Sequence, residues 1–157
     1  MNGNYNARML ALRYVYILAL VAWLGGMLIL GAIVAPTTFQ VLEATEPIAG
    51  RALAGEVFGA TIARFHYVAY AAGGLLLVTL AAMAILGPRP ASYALRSAVI
   101  VGMLGVALYS GLVVLPSLDV LQRGVEFDRL HTLSTRLMML NMAAALILLY
   151  WEAKERP

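Results

Sequence analysis

The sequence predicts an all-α integral membrane protein that folds as a four-helix bundle. Three observations support this fold class. Of the 157 residues, 62% are hydrophobic and only 12% are charged, whereas about a quarter of the residues in a soluble domain are charged. The apolar residues form four long runs, and each run is long enough to cross the roughly 30 Å hydrocarbon core of a bilayer as a helix. Short segments that contain proline, glycine or charge separate these runs.

The four runs define one transmembrane domain with four predicted spans. They cover residues 10–35, 65–86, 92–115 and 128–150. Pro36 and Pro116 follow the first and third spans. Because proline lacks a backbone N–H and its ring clashes with the preceding turn, we expect both spans to end there. The sequence Gly-Pro-Arg-Pro at residues 87–90 predicts a tight link between the second and third spans.

A segment of mixed polarity lies between the first and second spans, at residues 37–64. Pro47 suits the first turn of a helix, and small residues recur after it at helical spacing. The segment also carries several charges, which are Glu43, Glu46, Arg51 and Glu56. We therefore expect a short extra helix here, lying against the rim of the bundle.

Four spans place both chain termini on the same side of the membrane. The link between the second and third spans is short and carries Arg89, as is typical of a cytoplasmic loop. Tyr150 and Trp151 are expected at the membrane interface, where aromatic residues are enriched, and residues 151–157 form a polar tail that we expect to be solvated. These features predict a multi-pass protein of the inner (cytoplasmic) membrane with both termini in the cytoplasm.

The chain contains an internal repeat. A shift of 80 residues superimposes the first apolar run on the third, and a shift of 65 superimposes residues 64–66 (Arg-Phe-His) on residues 129–131 (Arg-Leu-His). The first shift pairs Leu24 with Leu104, Gly25 with Gly105, Gly31 with Gly111 and Pro36 with Pro116. This pattern predicts two repeated helical hairpins of the same orientation, related by a pseudo-twofold axis along the membrane normal.

His66 and His131 are the only histidines in the chain, and the repeat places them at similar depths. One hypothesis is that the pair ligates a haem axially, with Arg64 and Arg129 near its propionates. A second is that the pair holds a copper ion, with Met138 or Met142 as a further ligand. The alternative, which we favour, is that each imidazole caps or bridges helices at the water boundary.

The fourth span carries polar side chains on one face. Asn141 is the deepest of them, and an interhelical hydrogen bond to Ser134 or to a facing carbonyl is the simplest role for its amide, with a substrate contact as the alternative. Arg136 lies two turns into this span, where it can snorkel outward or pair with an acidic residue of the mixed segment. The candidate binding residues are His131, Ser134, Met138, Asn141, His66, Tyr70, Arg64 and Arg129.

Several residues are predicted to have structural roles. Small residues share one face of the first span and one face of the third, and they allow helices to approach closely. Close approach matters because lipid provides no hydrophobic driving force between helices. The predicted structural positions are Trp23, Gly25, Gly26, Pro36, Gly105 and Pro116.

Short motifs give the chain a resemblance to a known family. They are Trp23-Leu24-Gly25-Gly26, Ala35-Pro36 followed by Phe39, Phe58, and Leu130-His131-x-x-Ser134 continuing to Asn141. In these motifs, residues 10–150 resemble the bacterial four-span membrane family of unknown function (DUF4149 type) related to eukaryotic transmembrane protein 205. The Trp-x-Gly-Gly motif is also similar to the copper resistance D type. That type usually has a histidine near the start of the span, where this chain has Tyr14 or Tyr16. The resemblance implies an inner-membrane protein without established chemistry, and the eukaryotic relative is associated with resistance to platinum drugs.

The sequence contains none of the usual catalytic patterns. There is no cysteine, hence no disulfide and no thiolate metal site. Asp128, His131 and Ser134 lie on one helix at a spacing that does not aim a base at a nucleophile, and nothing suggests nucleic-acid binding. We therefore predict a protein that is not an enzyme and that acts in the bilayer as a binding, scaffold or accessory component, in a homo-oligomer or a larger membrane complex. The alternatives are the haem or copper protein above and an exporter of small solutes or metal drugs.

Overall fold

The computed structural model describes residues 2–87, 90–120 and 124–154, and these form six α-helices and two π-helical turns. In chain order they are α1 (Asn2–Ile29), a first π turn (Leu30–Val34), α2 (Ala35–Thr45), α3 (Gly50–Leu86), α4 (Ser92–Tyr109), a second π turn (Ser110–Val114), α5 (Leu115–Val120) and α6 (Val125–Lys154). Arg89, Arg123 and Arg156 contribute to the predicted membrane orientation and lie outside the described residues.

The long helices form an up-down-up-down bundle. Helix α1 packs against α3 and α6, and α4 packs against the same two helices, so each helix runs antiparallel to both of its neighbours. Within the described part of the chain, four helical stretches are long and apolar enough to cross a membrane. The predicted all-α bundle of four membrane helices is therefore confirmed. The end of the bundle that carries both termini is called the terminal end below, and the opposite end is called the distal end.

Pro36 and Pro116 do not end their helices, so that prediction is wrong. Each proline lies in the first turn of an α-helix that directly follows a π turn. The N–H of Ala35 donates to the carbonyl of Leu30, and the N–H of Leu115 donates to the carbonyl of Ser110, in the i to i+5 pattern of a π-helix. The missing N–H of each proline thus falls where the hydrogen-bond register changes, and the helix continues past it.

The helix that carries the second span begins at Gly50 rather than at Phe65. At 1.5 Å per residue, the 37 residues of α3 extend about 55 Å, well beyond the roughly 30 Å of hydrocarbon. The short extra helix expected in residues 37–64 corresponds to α2, which continues the first span through the π turn. Helix α2 and the first turns of α3 therefore form a helical hairpin that prolongs the bundle at the distal end.

Close contacts hold this hairpin together. Gly50 packs directly against the backbone carbonyl of Leu42, where a Cβ atom would overlap that oxygen. The rings of Phe39 and Phe58 meet edge to face with centroids 6.4 Å apart. In addition, Arg51 donates to a carboxylate oxygen of Glu43 at 3.0 Å.

The core lies between the four long helices and is built from large apolar side chains. Its fully buried members include Tyr16, Leu20, Trp23, Leu76, Leu80, Ile100, Met103 and Leu148. Of the predicted close approaches, Gly26 packs against the ring of Phe65, so a Cβ atom there would overlap the ring. Gly25 and Gly105 have no surrounding atom within 4 Å of an added Cβ, and the predicted close approach is absent at both.

Candidate functional site

A cleft lies at the distal end of the bundle, and it is called the distal cleft. It lies between the C-terminal end of α4 and the first three turns of α6, and its volume is about 630 Å³. Its lining residues are Tyr109, Glu126, Asp128, Arg129, Leu130, Thr132, Leu133 and Arg136. Four of them lie at positions i, i+3, i+4 and i+7 of α6, which is the spacing of a single helix face.

The charged side chains of the distal cleft are ordered along α6. Glu126 and Asp128 lie in the first turn of the helix, where the positive end of the helix dipole favours acids. Arg129 follows Asp128 directly, and Arg136 lies about two turns further towards the middle of the bundle. The acids therefore lie at the outer end of the cleft, and the arginines extend from there towards its inner end.

These four charged side chains are exposed. The ion pairs in the described part of the chain join Arg13 and Arg96 to Glu152, and Arg51 to Glu43. None of them involves a side chain of the distal cleft. The predicted pairing of Arg136 with an acid of the mixed segment is therefore not found among the described residues. The cleft presents two cations and two anions to whatever enters it.

His66 and Tyr70 lie against the second π turn. The Nδ1 atom of His66 is 2.9 Å from the carbonyl oxygen of Ile62 and donates to it, because a carbonyl can only accept. The ring of His66 and the hydroxyl of Tyr70 both pack on Gly111, where a Cβ atom would overlap them. Close packing of α3 on α4 therefore uses the histidine and tyrosine that the sequence suggested as ligand-binding residues.

His131 has different surroundings. It is exposed, and its ring stacks on Phe127 with centroids 6.1 Å apart and planes 6° from parallel. None of the contacts described for His66 involves a residue that contacts His131. The described residues contain no group of three or more His, Cys, Asp or Glu side chains that could hold a metal ion. Haem or copper binding by the two histidines stays a prediction, which an absorption spectrum of the purified protein would test through a Soret or copper band.

The polar face of the fourth span is divided between packing and the cleft. Asn141 is buried, and its Nδ2 donates to the backbone carbonyl of Met103 at 3.3 Å, the kind of interhelical hydrogen bond that the sequence suggested. The methyl group of Met138 packs on Gly31, with an added Cβ there only 3.2 Å away. Of the eight candidate binding residues, Arg129 alone is among the residues that line the distal cleft.

A second group of charged residues, at the terminal end, was missed by the sequence reasoning. The carboxylate of Glu152 is 2.7 Å from Nη1 of Arg96 and 3.2 Å from Nε of Arg13. Arg96 is 1% exposed and Glu152 is 2% exposed, so the expectation of a solvated tail is wrong at Glu152. The ring of Tyr93 lies 5.9 Å from the guanidinium carbon of Arg96, within range of a cation–π contact. We call Arg13, Arg96 and Glu152 the terminal ion cluster.

One signal in the sequence points to the burial of Glu152. The buried residues of α6 are Asn141, Ala145, Leu148 and Glu152, and these recur at steps of three or four residues. Such a stripe is the core face of a helix. Extending this stripe past Tyr150 would have placed Glu152 inside the bundle.

The fold defines a polytopic membrane protein with four candidate membrane helices. A protein-family model described as a domain of unknown function, DUF4149, matches residues 18–126, and the chain belongs to this family. The match begins midway along α1 and ends at the start of α6. Neither the curated proteins nor the solved structures contain a match to this chain.

Proposed function

We propose that this protein is a non-enzymatic binding component of the inner membrane, and that its binding site is the distal cleft. One observation carries this proposal. Two arginines and two acids line a cleft of about 630 Å³ and have no ion-pair partner among the described residues. Ionisable side chains in membrane helices are rare and commonly mark binding sites or pathways. A ligand that carried the opposite charges would form ion pairs with these four side chains.

The chemistry of the lining favours binding over catalysis. Leu130 and Leu133 add apolar surface beside the charges, and both are half-buried. The lining includes acids, which can act as general bases, but no hydrogen bond among the described residues joins two lining side chains, so no base is aligned on a nucleophile. A ligand with a charged head and an apolar body fits such a surface.

We also propose an orientation of the protein in the membrane and an evolutionary origin for its repeat. With the termini in the cytoplasm, the distal cleft opens on the non-cytoplasmic side. The two π turns support a duplicated hairpin, because Leu30–Val34 and Ser110–Val114 are offset by the same 80 residues that superimpose the apolar runs. Common ancestry with eukaryotic transmembrane protein 205 and the copper resistance D type is part of this proposal.

Native mass spectrometry of protein extracted with its surrounding membrane tests the binding proposal. We expect wild-type protein to retain a bound molecule that the double variant Arg129→Ala/Arg136→Ala loses. Arg8→Ala/Lys154→Ala is the matched control, because it removes the same charge from two exposed cations outside the cleft. Identical adducts in all three proteins, or no adduct in wild type, would contradict the proposal.

A further inference from the structure

We infer that the ligand of the distal cleft is a zwitterionic phospholipid with a primary amine, bound by its phosphate to Arg129 and Arg136 and by its ammonium group to Glu126 and Asp128. The inference rests on the proposed function, since it names the ligand of the same site. Four features of the cleft support the inference. They are the order of the charged side chains along α6, the distances between them, their net charge of zero and the apolar wall.

The order of charges in the cleft matches that of the headgroup. In a bilayer the phosphate of a phospholipid lies next to the hydrocarbon, and the amine that it carries extends further towards water. Along α6 the acids lie nearer the distal end, Arg129 follows Asp128 directly, and Arg136 lies two turns further towards the middle of the bundle. The ammonium group of the headgroup would therefore lie towards the acids and its phosphate towards the arginines.

The spacing of the charges also fits. Along the helix axis, at 1.5 Å per residue, Arg129 lies about 1.5 Å and Arg136 about 12 Å inward of Asp128. Side chains of an α-helix lean towards its N-terminus, which here is the outer end, and this lean is common to the acids and the arginines. The arginine side chains are longer and reach further towards the interface, which brings the guanidinium groups closer to the carboxylates, towards the short span of a phosphate joined to an amine by two carbons.

The balance of charge selects against anionic lipids. The four side chains sum to zero, so a neutral zwitterion leaves no excess charge in the cleft. A headgroup with phosphate alone would satisfy the arginines and leave both carboxylates facing an anion. A primary ammonium donates three hydrogen bonds to carboxylates, as a lysine side chain does, whereas a trimethylammonium group donates none.

An apolar wall accompanies the charges. Leu130 and Leu133 lie on the cleft beside the arginines and provide contact for the start of an acyl chain. Tyr109 of α4 contributes an aromatic ring and a hydroxyl from the opposite side, and tyrosine is enriched at the level of lipid headgroups. The cleft therefore offers contacts to both parts of a phospholipid.

Lipid competition tests the inference. Purified protein is mixed with equal amounts of three lipids that share the same acyl chains and carry ethanolamine, choline or glycerol headgroups, and the bound lipid is identified by native mass spectrometry. We expect about fivefold enrichment of the ethanolamine lipid over the choline lipid, the ratio that one additional hydrogen bond can supply. Glu126→Gln/Asp128→Asn removes this enrichment and retains bound lipid, whereas Arg129→Ala/Arg136→Ala loses bound lipid of every kind.

The outcomes separate this inference from the proposed function. Binding that depends on the arginines but favours the glycerol lipid, or is indifferent to the headgroup, overturns the inference and leaves the proposed function standing. If the molecule retained from the membrane depends on the arginines but is not an amine-bearing lipid, the inference is likewise overturned and the proposed function stands. If binding does not depend on the arginines in either experiment, the inference and the proposed function are both overturned. Circular dichroism and size-exclusion chromatography of each variant verify that it remains folded.

Discussion

The terminal ion cluster and the distal cleft contain the same kinds of charged side chain in opposite situations. At the terminal end, Glu152 accepts from arginines on two other helices, and the Arg96–Glu152 pair is almost completely buried. At the distal end, two acids and two arginines lie along a single helix, exposed and unpaired within the described residues. The first group joins α1, α4 and α6, whereas the second joins no elements of the bundle.

The difference shows that charged residues in one membrane bundle can have separate roles, in packing and in binding. A carboxylate that is buried between helices and shared by their arginines cannot lose its charge without leaving a buried cation uncompensated, which is strongly destabilising. Charges that project from one helix into a cleft contribute little to stability and remain accessible to a ligand. If this distinction holds, neutralising a charge at one end changes the free energy of unfolding, and at the other end it changes binding.

The largest effect is expected at the terminal ion cluster. Glu152→Gln leaves the buried guanidinium of Arg96 without its counter-charge, and breaking a buried ion pair in this way costs about 3–5 kcal/mol. The free energy of unfolding in detergent micelles measures the loss. Glu126→Gln, the same change in the exposed cleft, is the control and is expected to stay within about 0.5 kcal/mol of wild type. Equal losses in the two variants would remove the contrast between the ends.

The second prediction concerns the packing of α3 against the second π turn. Gly111→Ala places a methyl group against the side chains of His66 and Tyr70, and overpacking of this kind costs about 1–3 kcal/mol. In Gly105→Ala the added methyl meets no atom within 4 Å, so the higher helix propensity of alanine leaves stability equal or higher. Thermal unfolding of the two variants compares them directly. A neutral Gly111→Ala would show that α3 and α4 are not tightly packed near the cleft.

A smaller loss is expected midway between the two ends. Asn141→Leu removes the hydrogen bond to the carbonyl of Met103, and such bonds contribute about 0.6–2 kcal/mol in membrane proteins. Thr135→Val is the control, because the hydroxyl of Thr135 donates only to the carbonyl of His131 in its own helix. A loss in Asn141→Leu that does not exceed the control would show that the α4–α6 contact does not depend on this amide. Both free energies of unfolding are measured in the same detergent.

The smallest effect on stability is expected in the distal cleft. Arg136→Ala removes an exposed charge, and surface substitutions of this kind change the free energy of unfolding by no more than about 0.5 kcal/mol. The same variant is expected to bind less of the lipid that wild type retains, as measured by native mass spectrometry. A large loss of stability together with unchanged binding would reverse the roles of the two ends.

Much of the fold could be predicted from the sequence because the bilayer restricts the possible structures. Four apolar runs of suitable length, separated by polar or proline-containing segments, are enough to indicate four membrane helices. The behaviour of the prolines was not predictable by the same reasoning. Pro36 and Pro116 normally signal the end of a helix, and here a π turn precedes each of them and allows the helix to continue.

The two charged groups were harder to predict than the helices. Glu152 and Arg96 are 56 residues apart in the chain, and no local pattern shows that their helices bring them into contact. Arg136 was recognised as unusual because it lies two turns into an apolar run, and Arg129 was a candidate through the repeated Arg-x-His motif. Their assembly with Tyr109 into one cleft depends on the packing of α4 against α6, which periodicity alone does not determine.

The π turns also set the rotational phase of the helices that follow them. A π turn contains more residues than an α turn, so a wheel drawn at about 100° per residue assigns the residues after Val34 or Val114 to the wrong side. In the structure, α1 and α2 both pack on α3 despite this offset. Deleting one residue within the first π turn is expected to restore α-helical hydrogen bonding and to leave the same face of α2 packed on α3, because a π turn accommodates one extra residue. Cysteine accessibility along α2 would reveal whether the same residues remain packed.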